Sequence, residues 1–316
     1  MPGLAVAGAG RPLVGILLVV LATLAFALAD VATKHLAMLY PVSVVVAVRY
    51  LVNLGLLALF LLPRHGKRLW QAERTWLALL RGLCLAAASL TMGLALRVMP
   101  VGETVAIIYL APFAVMLLAV PLLGERVSTV GWAGAAFGFV GVLLIARPGG
   151  SLDPLGVFFA VVNAGFSTAY HLLTRLLSRT ETTISMLFHT AWVGAAVFCV
   201  LAVPSLEGFS PPALDVGLMA LLGGLATIGH FLFTAAYREA PASLLAPVNY
   251  LHLVWAGGLG WMAFGHVPES WSLAGMALVA GAGVAVALNS HLERRRTRAE
   301  AAAGPRLPQQ FTEKEA

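Results

Sequence analysis

"RVMPVGETVAIIYL" (residues 97–110) returns 141 positions later as "REAPASLLAPVNYL" (238–251), with Arg, Pro and Tyr-Leu in register. The same ungapped offset lays Gly15 on Gly156, Thr33 on Thr174, Lys34 on Arg175, Pro63 on Pro204, Gly82 on Gly223, Gly124 on Gly265 and Gly134 on Gly275. Coincidences of Gly, Ala or Leu are expected in an apolar chain, whereas Pro, Tyr, Thr and Arg recurring at one offset mark an internal duplication.

The composition says what kind of unit is duplicated. Of 316 residues 60% are hydrophobic and 11% charged, and the mean hydropathy is +0.90. Too few charged side chains are present to coat a water-soluble domain of this size. Reading for stretches of about 20 apolar residues gives ten spans, at 13–35, 42–63, 76–96, 101–122, 129–146, 154–176, 184–204, 213–235, 242–263 and 271–289. The runs are continuous, without the ten-residue alternation of a transmembrane barrel, so the expected fold is an all-α integral membrane protein. The first span is read as retained, with no cleavage pattern behind it. Cys84 and Cys199 both fall inside spans and act there as small apolar residues.

Five spans per unit is an odd number, so the second unit must enter the membrane from the opposite face. The expected organisation is a segment 1–12, a first repeat over 13–148, a second, inverted repeat over 149–290, and a polar, basic tail over 291–316. Fifteen of the twenty lysines and arginines lie at one face, including Arg64, Lys67, Arg68, Arg74 and the "RRRTR" run at 294–298; only Lys34, Arg97 and Arg147 lie at the other. That asymmetry puts both termini in the cytoplasm of a plasma-membrane protein. It also makes the basic run an anchor near anionic headgroups, with no nucleic-acid partner implied.

The order of motifs resembles the EamA family of the drug/metabolite transporter superfamily. The resemblance rests on a lysine late in span 1, Pro41 and Arg49 in span 2, "ALRVMPVGETVAIIYLAPF" (95–113), Gly124-Glu125 closing span 4, and "GFVGVLLIARPG" (138–149), and it covers 13–289. The second half departs from it, with Gly265-His266 in place of Gly-Glu and only His189 and Thr190 near the counterpart of Arg49. The resemblance implies a central cavity lined mainly by spans 3, 4, 8 and 9, small metabolites as cargo, and a monomer or a homodimer. Independently, inverted repeats are a signature of secondary transporters, with the substrate near the midplane where the halves meet.

Ionisable groups inside spans are functional candidates by default, because hydrocarbon makes them costly. Asp30 and Lys34, four residues apart, suit an ion pair that closes a gate. Asp30 also suits a direct coupling role, and Lys34 and Arg175 suit the last turn of a helix, where a cation complements the dipole. Arg49 lies too deep to reach the interface, and Asp30 is its expected partner. Arg81 reads as an anchor at a helix start, and Glu103 as a cap or a cargo contact. For cargo the strongest stretch is "APVNYLHLVW" (246–255), the counterpart of "AIIYLAPF" (106–113). Tyr109 and Tyr250 are symmetry mates, Pro112 and Pro247 loosen the helices, and Asn249 and His252 add polar groups. His230, Tyr170 and His171 complete the expected lining.

The sequence therefore points to a secondary transporter of a small amphipathic, amino-acid-like metabolite working by alternating access, with export ahead of import. Uptake of a vitamin or nucleoside-like cofactor, of riboflavin or S-adenosylmethionine type, is the alternative. The lipid bilayer is its environment, and a proton or an exchanged counter-substrate its driving partner. No cofactor or metal is called for, and HExxH and CxxC are absent, which leaves a membrane enzyme with little support.

Overall fold

The computed structural model describes residues 11–123, 127–147, 150–178, 180–240 and 242–303. Gly124, Glu125, Arg126, Pro148, Gly149, Arg179 and Pro241 lie outside the described residues, as do both chain ends. Among the described residues there is no strand. The helices are α1 (Pro12–Leu39), α2 (Val42–His65), α3 (Thr75–Val98), α4 (Val101–Ile108), α5 (Leu110–Leu123), α6 (Thr129–Ile145), α7 (Pro154–Leu177), α8 (Thr183–Ala202), α9 (Ala213–Glu239), α10 (Ala242–Asn249), α11 (Leu251–Phe264) and α12 (Ser270–Ala303).

Ten expected spans thus appear as twelve helices, because spans 4 and 9 are each broken in the middle, at Tyr109 and Tyr250. At these two residues ψ is 0° and −10°, well away from the value of a regular α-helix, which turns a carbonyl out of the helical ladder. The break stands three residues before Pro112 and three after Pro247, so each proline's missing N–H lies within a turn of it. The last helix also runs past the expected end of its span, carrying 291–303 as continuous helix.

Helix starts repeat with the period of the sequence. Helices α2 and α8, α4 and α10, α5 and α11, and α6 and α12 begin at positions that the duplication superposes. The two units are inverted: Lys34, late in α1, donates to the carbonyl of Met99 at 2.7 Å, and Met99 packs on Gly156 at the start of α7. The end of the first helix of one unit therefore lies beside the beginning of the first helix of the other. We call this the distal end of the bundle, and the end where α1 begins the proximal end.

Packing follows the same exchange. Helix α1 lies along α9 as α3 lies along α7, while α2 pairs with α8 and α6 with α12. Glycines set these crossings, since small residues let helix backbones approach in a membrane. A Cβ on Gly82 would stand 2.9 Å from Val193 Cβ, and one on Gly223 would stand 2.6 Å from Val52 Cβ. The two glycines are symmetry mates, and so are the two valines. Facing outward are large apolar side chains such as Phe231, Leu214 and Met262, as a lipid-facing surface requires.

Gly223→Ala is expected to destabilise the protein by about 1–3 kcal/mol through overpacking. Gly224→Ala, one position on with nothing within 4 Å of its Cβ, should be neutral or stabilising by up to about 1 kcal/mol. Denaturant titration of the two variants in detergent checks the contrast.

Candidate functional site

The two helix breaks meet in the middle of the bundle. Tyr109 is 8% exposed and its hydroxyl donates to the Asn249 carbonyl at 2.9 Å. One symmetry mate thus satisfies a carbonyl next to the break made by the other, as a buried backbone acceptor requires. The Tyr109 and Tyr250 rings lie 5.0 Å apart. Tyr250 rests on Gly283, where any Cβ would collide with its ring and its hydroxyl.

His252 lies 6.0 Å from Tyr109, and its Nε2 is 3.0 Å from Asp30 Oδ2, both side chains 16% exposed. Phe26 of α1 links this group to α9, 6.1 Å from His252 and 5.0 Å edge-on to His230. Although His230 is inside the bundle against Phe26, it is exposed; it borders open space there. Tyr109, Tyr250, Asn249, His252 and His230 are therefore brought together, with Asp30 and Phe26 added.

Two expected ion pairs are not made. Asp30 is joined neither to Lys34 nor to Arg49; its Oδ2 meets His252 Nε2 instead. Lys34 instead reaches Leu96 O at 3.0 Å and Met99 O at 2.7 Å. These carbonyls lie at the C-terminus of α3, where acceptors lack intrahelical donors and the dipole favours a cation. Nor is Lys34 in the last turn of its own helix, which continues to Leu39. Arg175 does occupy the last turn of α7.

Arg81, expected as an anchor, is 3% exposed and holds three helices together. It donates from Nε to Thr174 at 2.7 Å, from Nη1 to Met186 O at 2.9 Å and Thr190 at 2.6 Å, and from Nη2 to the Tyr170 hydroxyl at 2.7 Å. Its guanidinium also covers the Tyr170 ring at 4.4 Å, and His171 lies 5.2 Å from that ring. Tyr170 and His171 therefore belong to a second, proximal group around Arg81. Every one of the groups that Arg81 donates to is neutral.

At the distal end a cavity of about 290 Å³ is lined by Lys34, Glu103, His266, Trp261 and Phe264 among others. Glu103, 1% exposed, ties α4 to the α11–α12 connection through His266 Nε2 at 3.0 Å. Its other oxygen, Oε2, has no partner among the described residues. Neither reading of Glu103 from sequence included this bond, because His266 lies far along the chain in a loop. The signal was the departure itself, a histidine standing where the first repeat has Glu125.

Residues 13–147 and 154–288 each match the model of the EamA-like transporter family. The chain belongs to this family. A riboflavin transporter of Rhizobium johnstonii is 30% identical over 88% of this chain and 92% of its own length. The pseudopaline exporter CntI of Pseudomonas aeruginosa is 26% identical over 86% of this chain and 95% of its own. A solved crystal structure, 22% identical, shares the fold with a TM-score of 0.61 over 90% of this chain and 97% of the other. Relatives that match over most of their own length thus carry names with chemically different cargoes. The protein is a multi-pass membrane transporter of small molecules, and its cargo has to be argued from its own residues.

His266→Ala should leave Glu103 with neither oxygen paired and lower stability by about 1–3 kcal/mol. Glu103→Gln added to that variant should recover part of the loss, since a neutral amide is cheaper to bury than a carboxylate. Thermal unfolding in detergent reads both. In a double-mutant cycle, Asp30→Asn and His252→Ala should couple by at least about 0.5 kcal/mol, while Asp30→Asn and Arg49→Gln should add.

Proposed function

We propose that this chain is a secondary transporter that carries a small amphipathic, amino-acid-like metabolite out of the cell by alternating access between its two inverted halves. The observation that carries this reading is the meeting of two symmetry-related helix breaks at Tyr109 and Tyr250, bonded through the Tyr109 hydroxyl and the Asn249 carbonyl with their rings in contact. Broken spans at a repeat interface are where transporters of this type bind cargo. The surrounding mixture of aromatic rings with Asp30, His252 and His230 suits a molecule with one flat apolar part and one polar part.

The fifteen lysines and arginines that the sequence puts on one side of the spans support a cytoplasmic location for both termini, so that the distal end opens outside the plasma membrane. The Asp30–His252 pair, at 3.0 Å, is a suitable proton carrier for coupling, and exchange against a counter-substrate is the other driving scheme. A second reading, uptake of a vitamin or nucleoside-like cofactor, draws on the run of rings from Tyr250 to Phe26, a stacking surface for a planar heterocycle, and on the 30% identity to a riboflavin transporter.

Purified protein in liposomes, challenged with labelled amino acids, flavins, nucleoside-like cofactors and metallophores in both directions, tests these readings. Movement of none of them would remove the proposal. Tyr250→Phe, which deletes one hydroxyl and keeps the ring, should slow transport about two- to ten-fold, as expected for one lost hydrogen bond. Unaltered rates would take α10 and α11 out of the site.

A further inference from the structure

Two arginines inside the spans lack an acidic partner among the described residues. Among the described residues no carboxylate lies within ion-pair distance of Arg81 or Arg49, and the carboxylate expected for Arg49 belongs to His252. Burying a cation without compensation is costly, and in a membrane such a group marks a substrate or ion pathway. The two differ in what their donors do. Arg81 spends four of the five N–H groups of a guanidinium on Thr174, Met186, Thr190 and Tyr170. It is a fixed positive charge, with its geometry locked by protein. Arg49 makes no side-chain hydrogen bond among the described residues; it touches the Tyr50 ring, its guanidinium carbon 5.4 Å from the centroid. The fork of Arg49 is open.

Asn53, one turn after Arg49, donates to Thr227, one turn before His230, at 2.9 Å, and Tyr50, whose ring Arg49 covers, packs on Gly194, one turn after the Thr190 that Arg81 holds, so the open fork and the fixed charge are neighbours on the side of the bundle where α2 meets α9 and His230. From His230 an unbroken series of ring contacts leads to the helix breaks: Phe26 at 5.0 Å, then His252 at 6.1 Å, Tyr109 at 6.0 Å and Tyr250 at 5.0 Å. One end of this row thus offers an uncommitted planar fork beside a fixed positive charge, and the other the aromatic surface of Tyr109 and Tyr250.

We infer that Arg49 binds the carboxylate of the cargo, with Arg81 as a positioning charge behind it, so that the transported molecules are organic carboxylates bearing a flat apolar group. This rests on the transport reading above and names the substrate class for that site. A single open guanidinium presents two parallel N–H groups, the complement of the two oxygens of one carboxylate. A phosphate dianion would call for a second open fork, and Arg81 cannot supply it without giving up bonds that hold α3, α7 and α8. Binding to Arg49 also removes the penalty of its uncompensated charge, which gives the cavity a reason to prefer an anion over its neutral isostere.

Thermal unfolding of the full-length protein in detergent, with indole-3-acetate and its uncharged isostere indole-3-acetamide as probes, tests this. The acid should raise Tm in a saturable way and the amide should not. In Arg49→Gln the acid should lose about ten-fold or more in apparent affinity, one charge-assisted bidentate pair being worth that much. Arg49→Lys, which keeps the charge and loses the fork, should fall in between. Because the Arg49 side chain donates to no protein group among the described residues, Arg49→Lys should keep the unliganded Tm and Arg49→Gln, which removes an uncompensated charge, should keep or raise it; any fold defect would show there first. Equal shifts by acid and amide, no shift by indole-3-acetate, benzoate or phenylalanine at millimolar concentration, or an acid response intact in Arg49→Gln would each overturn the inference. Inorganic phosphate or sulfate matching the acid would overturn the carboxylate assignment. Liposomes that move only neutral cargo would sink this inference while leaving the transporter reading in place.

Discussion

Close contact between the two halves at paired glycines is the constraint on which the fold depends. Gly15 meets Ala240 and Gly156 meets Met99; Gly82 meets Val193 and Gly223 meets Val52; Gly134 meets Val286 and Gly275 meets Ile145. In each set the two glycines are symmetry mates, and so are their two partners. Lipid tails are as apolar as leucine, so helices in a bilayer gain little from hiding apolar surface and associate through van der Waals contact instead. Removing the Cβ at a crossing is the direct way to increase that contact. Because the crossings join helices from opposite repeats, the same glycines both build the bundle and place the broken spans opposite each other.

The scaffold is symmetric and the chemistry is not. When the repeats are exchanged Arg49 falls on Thr190, Arg81 on Leu222, Glu103 on Leu244 and His252 on Ala111. The open fork and the fixed charge are both supplied by the first repeat, while His230, Asn249 and His252 come from the second. Thr190 shows how the halves have divided the work: it stands at the symmetry position of Arg49 and accepts a hydrogen bond from Arg81 at 2.6 Å. An ancestor with two equal halves would repeat every polar group twice. Here the duplicated shape is kept, as packing demands, and each polar position is free to differ.

Period and composition made the architecture legible in the sequence. Helix starts at 42 and 183, 101 and 242, and 129 and 270 lie within a residue of the span limits read from hydropathy, because water-avoiding stretches end where polar loops begin. The breaks at Tyr109 and Tyr250 could be anticipated from nearby prolines but not located, since the prolines themselves are not symmetry mates. Partners were the weaker reading. Lys34 and Asp30 share a helix face, yet Lys34 bonds to carbonyls at the end of α3 and Asp30 to His252 in the other repeat. Local spacing states which groups can meet within one helix. It carries no information on a helix end from another part of the chain that offers better partners, and the network of Arg81 across α3, α7 and α8 was invisible for the same reason.

The two kinds of contact between the halves differ in how easily they can be undone. At the distal end Tyr40 is bonded to Asp215, Glu103 to His266 and Arg147 to Glu269, each tie crossing from one repeat to the other. Arg147 and Glu269 are more than a third exposed, and a pair in that setting, solvated and screened, adds little to stability. Hydrogen bonds there depress the Glu269 carboxyl below its ordinary value, Ser151 ahead of Arg147; what the tie adds is present at neutral pH and is lost as acidification protonates that carboxyl. The glycine crossings have no such dependence on water or protons, because they are made of packed carbon. In the proposed cycle the crossings therefore serve as pivots and the polar ties as the part that opens. Two conformations separated by a few kcal/mol can be exchanged by a cargo that binds one of them better, and weak, water-accessible ties at one end keep that difference small enough for a metabolite to control.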